Sequence, residues 1–72
     1  MWLFKSNVGV FKIACQPDGR YGLYVDDNLL DVYYGPESAA DDVMMRYTGY
    51  GPWDNQPVIT GPFGLRAWEK VE

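Results

Sequence analysis

The sequence predicts an α+β domain in which a three-stranded antiparallel sheet carries one α-helix on its inner face, followed by an irregular, aromatic-rich C-terminal segment. Three observations predict it. Gln16-Pro17-Asp18-Gly19-Arg20 is a turn between two alternating apolar runs, Asp27-Asn28 is a second turn signal, and the hydrophobic period changes at Gly35-Pro36.

Proline presets φ at the second turn position, Asp tolerates the third, and Gly supplies the left-handed residue that closes a three-residue hairpin loop. Gln16 then pairs with Arg20. Counting back from that pair sets Phe11, Ile13 and Cys15 beside Val25, Leu23 and Tyr21 on one face, and Lys12, Ala14, Gln16, Arg20, Gly22 and Tyr24 on the other. A two-residue turn at Asp27-Asn28 would pair Asp26 with Leu29. The inner face then continues into Leu30, Val32 and Tyr34, and the outer face into Leu29, Asp31 and Tyr33.

At Gly35-Pro36-Glu37 a helix begins, with Gly35 as an acceptable N-cap, Pro36 at the first helical position and acids in the first turns. Ala39, Ala40, Val43 and Tyr47 form one stripe, Asp42 is placed to pair with Arg46, and Gly49 ends the helix. The stripe faces the inner side of the sheet, where the two alanines allow close approach. Tyr50 to Gly64 is rich in glycine and proline and reads as irregular chain. Trp53, Phe63, Leu65 and Trp68 are expected to cover an open end of the core, with helical spacing from Leu65 to Val71. Trp2, Leu3 and Phe4 read as a short strand or cover piece.

The 72 residues bound the chain to a single domain, which hides only about 60% of the surface its unfolded form exposes. Twelve aromatics, six of them Tyr, are therefore read mostly as core, with the tyrosines raising the prospect of an interaction surface. One Cys and no His exclude an internal disulfide, a zinc site and a Cys-His nucleophile built within one chain. Cys15 falls on the inner face, where a thiol acts as a small apolar group. The opening Met1 to Cys15 has no uninterrupted apolar core of a secretory signal and no bilayer-spanning length, so a cytoplasmic, reducing setting is expected.

Net charge is −4, and six of the ten acids lie between Asp26 and Asp42 in a window without Lys or Arg. That balance repels phosphate backbones and argues against nucleic acid as partner. The acids show no cation-binding spacing, and no paired carboxylates sit in a recognisable cleft motif, so neither metal, cofactor nor catalysis is expected. The remaining candidate is the outer sheet face, Val10, Lys12, Arg20, Tyr24, Leu29 and Tyr33, as a surface for a protein partner or a homodimer.

The pattern Gly19-Arg20-Tyr21, Tyr33, Pro36-Glu37, Ala39-Ala40-Asp41-Asp42-Val43, Thr48-Gly49 and Trp53-Asp54 resembles a group of small uncharacterised bacterial domains. Asp31 and Gly35 stand where that pattern has a glycine and a serine. The resemblance implies a fold and a bacterial source, and no activity. The order of three strands before an alanine-rich helix is similar in topology to plant ethylene-response-type and phage integrase arm-type DNA-binding domains. That similarity implies the alternative function, an accessory nucleic-acid-binding domain. Such domains read DNA with Arg and Trp on the outer sheet face, whereas here Lys12, Arg20 and Tyr24 lie beside Asp26 and Asp31.

Overall fold

A computed structural model describes residues 1–56 and 64–71. It is α+β, with an antiparallel sheet and one main helix. The strands are β1 (Trp2–Ser6), β2 (Gly9–Cys15), β3 (Tyr21–Val25), β4 (Asn28–Tyr33) and β5 (Glu69–Lys70), and the helices are α1 (Pro36–Met44) and the single turn α2 (Gly51–Asp54). The sheet order is β4-β3-β2-β1-β5. Five strands replace the expected three: Trp2 to Ser6 forms a full strand on β2, and Glu69–Lys70 pairs with β1 after a short 3-10 turn at Leu65–Ala67, where helical spacing was expected.

The first hairpin has the register read from its turn, with Phe11 opposite Val25, Ile13 opposite Leu23 and Cys15 opposite Tyr21. Gln16 N donates to Arg20 O at 2.7 Å, and Gly19 takes φ 87°, the left-handed conformation that closes the loop.

The second hairpin turns one residue earlier than expected. Val25 pairs with Asn28, and Asp26 and Asp27 have φ 48° and 68°, as a type I′ turn requires. Strand β2 recruits both acids. Asp26 Oδ1 accepts Val10 N–H at 2.9 Å, and Asp27 Oδ1 accepts Lys12 Nζ at 3.0 Å. A bulge then leaves Leu30 as an extra residue, because Tyr24 faces Leu29 whereas Leu23 faces Asp31. Beyond it Val32 lies opposite Gly22 and Tyr33 opposite Tyr21, so the faces of residues 31 to 33 are the reverse of those expected.

Helix α1 begins as read, with Gly35 as N-cap and Pro36 at its start. Ala39, Ala40 and Val43 are fully buried against Phe11, Ile13 and Leu23. The helix ends before Gly49, however. Tyr47 N–H donates to Asp42 O and Arg46 N–H to Val43 O, a Schellman closure with Arg46 in the left-handed position at φ 60°. That left-handed residue turns Tyr47 away from the expected stripe and leaves it 78% exposed. The expected Asp42–Arg46 pair does not form. The Arg46 guanidinium lies 3.8 Å from the centre of the Trp53 ring, and Asp42 accepts from Tyr33.

Trp53 and Trp68 are core, as expected. Trp53 packs edge-on to Phe11 at 5.3 Å and Phe4 at 5.8 Å, Trp68 lies 5.6 Å from Phe4, and Trp53 Nε1 donates to Val43 O at 2.9 Å. Two tryptophans packed on Phe4 and Phe11 give a chain this short a dense apolar centre. Phe63 and residues 57–62 of the expected irregular stretch lie outside the described residues, and the described part of that stretch holds the turn α2 rather than irregular chain throughout. Cys15 keeps its register but is exposed, because β2 runs on past the cover that α1 provides. No helix among the described residues is long and apolar enough to cross a membrane.

Candidate interaction face

Directly opposed residues in an antiparallel sheet share a face, so the register fixes the side opposite α1. One row crosses it as Glu69, Leu3, Lys12, Tyr24 and Leu29. A second row reads Ala14, Gly22 and Val32, and Lys5 pairs with Val10. The contacts of α1 with β2, β3 and β4, and those of Trp53 with Phe4 and Phe11, bury the other side.

The middle of the face is built around Gly22. A Cβ added there would come within 2.8 Å of Tyr24 Cε1 and Gln16 Nε2 and within 3.1 Å of Leu29 Cδ1. The glycine therefore lets the Tyr24 ring lie flat across the strands, where Gln16 Nε2 donates to its hydroxyl at 3.3 Å. Lys12 Nζ sits 4.9 Å from the ring centre while also reaching Asp27, so its ammonium is held between the ring and that carboxylate. Leu29 is 51% exposed and Val10 37%.

Val10, Lys12, Tyr24 and Leu29 come together on this face. Arg20 stands at its margin in the hairpin loop, where it pairs with Asp18 at 2.8 Å. The Arg20 backbone N–H, and then its guanidinium, hold the Asp18 carboxyl below the usual carboxylate range. Tyr33 is a correction. The register shift turns it to the helix side, where its hydroxyl donates to Asp42 Oδ2 at 2.7 Å. Burial first, and then that carboxylate, push its phenol well above the ordinary tyrosine range.

Two members of the face are absent from the sequence reading: Val32 takes the place assigned to Tyr33, and Leu3 joins through β1, while Gln16, expected on this face, fixes Tyr24. Trp2-Leu3-Phe4 is apolar on both faces, so alternation gives no signal there.

The helix side carries an open depression of about 370 Å³ lined by Leu30, Asp31, Tyr47, Thr48, Gly49 and Asp54. Its most enclosed carboxylate is committed. Asp54 accepts Thr48 Oγ1 at 2.7 Å, Gly49 N–H at 2.7 Å and Thr48 N–H at 3.0 Å, which shapes the loop into α2. Among the described residues, no three His, Cys, Asp or Glu side chains lie close enough together to hold a metal ion.

Compared with protein families, curated proteins and solved structures, the chain matches no family model, no curated protein and no solved structure.

Proposed function

We propose that this chain is a non-catalytic protein-interaction module that docks through the uncovered face of its sheet. The observation that carries the reading is the asymmetry of the sheet: one side holds the whole aromatic core, and the other displays Leu3, Tyr24, Leu29 and Val32 around a flattened ring. Contiguous apolar groups rimmed by charge are the usual composition of a recognition surface, and a tyrosine at the centre supplies large contact area at low entropic cost. An exposed Cys15 suits a reducing compartment.

Nucleic acid is a poor occupant of this face. Lys12 is tied to Asp27, and the nearby acids Asp26 and Glu69 oppose a phosphate backbone. Labelled duplex at low salt should show no saturable binding.

The test is differential capture on immobilised protein from lysate of the native host. Tyr24→Ser combined with Leu29→Ser should lose specifically retained proteins, whereas Tyr47→Ser on the helix side should keep them. Equal retention by both, or loss with Tyr47→Ser alone, contradicts the proposal.

A further inference from the structure

We infer that the occupant of the open sheet face is a second copy of the chain, packed face to face about a two-fold axis running between β2 and β3 along the strands. The inference rests on the reading of that face as a recognition surface, and adds the partner and its orientation.

An isologous contact requires a surface complementary to itself. About this axis β2 of one copy lies over β3 of the other, and β1 over β4. Leu3 then meets Leu29, Lys12 approaches the opposing Tyr24 ring, and Ala14 lies over Gly22, where the flattened Tyr24 ring and Gln16 fill the space above the glycine. At the end of the sheet Lys5, opposite Val10, comes over the Asp26-Asp27 turn of the other copy. Lys5 on the β1 side thus meets carboxylates on the β3–β4 side, while Glu69 lies on β5, beyond the four strands that overlap.

Addition at the β4 edge is the competing mode of self-association, and β4 opposes it. Asp31 Oδ1 accepts the N–H of Val32 at 2.7 Å, and its charge stands on that strand against an arriving one.

The face measures four strands across, and at strand spacings and rises of roughly 5 and 3 Å it covers roughly 300 Å² of plane per copy. That is small beside the roughly 800 Å² per partner of a stable interface. The association is therefore weak, reversible and set by local concentration.

Sedimentation equilibrium of the full chain over a wide concentration range tests it. A monomer–dimer equilibrium is expected. Lys5→Glu alone and Asp27→Lys alone should each weaken it by tenfold or more, and an equimolar mixture of the two variants should restore it, because each introduced charge then faces its opposite. Circular dichroism melts show whether each variant folds, and Leu29→Ser provides a charge-neutral disruption should either not fold. A monomer at every concentration, or a dimer indifferent to Lys5→Glu and Leu29→Ser, overturns the inference. If the pure chain stays monomeric while lysate capture still depends on Tyr24 and Leu29, self-association fails and the recognition face stands. If capture is also indifferent, both fail.

Discussion

Tyr33 Oη donates to Asp42 Oδ2 at 2.7 Å, tying the last residue of β4 to the solvent-side flank of α1. This bond reports the register of the second hairpin, since it forms only when the bulge at Leu30 has turned residue 33 toward the helix. Removing the hydroxyl with Tyr33→Phe should cost about 1 kcal/mol near neutral pH, the worth of a partly buried hydrogen bond.

The same bond gives an alkaline signature. The folded-state phenol is raised, so its contribution is fully present below the ordinary tyrosine value of about 10 and is lost as pH climbs above it, because the unfolded chain releases a proton that the folded chain keeps. Melting temperatures of the parent and Tyr33→Phe should therefore keep a constant gap up to about pH 9 and converge as pH rises above about 10. A gap that stays constant at higher pH would mean that Tyr33 faces solvent.

Leu23 is completely buried between β2 and α1, whereas Cys15, on the same face two strand positions beyond Ile13, is exposed. Leu23→Ala should cost about 2 to 5 kcal/mol in urea unfolding. Cys15→Ser should change stability by less than about 0.5 kcal/mol. A reversal of these two results would refute the first-hairpin register.

Arg46 holds a left-handed backbone where glycine is the usual residue, and its guanidinium stacks on Trp53 at 3.8 Å. Two substitutions separate backbone from side chain. Arg46→Ala and Arg46→Gly both lose the stack, but the glycine variant should be more stable by about 1 kcal/mol because it removes the left-handed strain. Denaturant midpoints that rank alanine at or above glycine would contradict the helix termination described.

Asp54 organises residues 48 to 50 by accepting from both backbone and side chain. Asp54→Ala should destabilise by about 2 kcal/mol, since it strands buried donors. In a double-mutant cycle with Thr48→Val, the two changes should couple by about 1 kcal/mol. Additive effects would show that the loop is held by something else.

Much of this structure is legible in the chain, and the failures have physical causes. The Pro17-Asp18-Gly19 loop and the Gly35-Pro36 helix start are encoded by residues whose own backbone preferences impose the geometry, so reading them locally succeeds. The second turn depends on Val10 and Lys12, which are distant in sequence and draw Asp26 and Asp27 into the loop. Local propensity among Asp26, Asp27 and Asn28 is nearly degenerate, and tertiary hydrogen bonds decide it. The bulge at Leu30 compounds the shift, which is why Tyr33 and Val32 exchange faces and the candidate surface loses a tyrosine. The early end of α1 has a similar origin: Trp53, seven residues beyond Arg46, provides the stack that accompanies an otherwise strained arginine. Strand β5 is too short to carry a periodic signal at all.

The central claim is that the sheet face bearing Tyr24 and Leu29, and not the helix side bearing Tyr47, is the surface through which this chain is recognised. Amide correlation spectra along a concentration series test it most directly. Progressive shifts confined to Leu3, Lys12, Gly22, Tyr24, Leu29 and their strand neighbours are expected. Shifts clustered at Tyr34, Met45 and Tyr47, with the outer sheet silent, would contradict it.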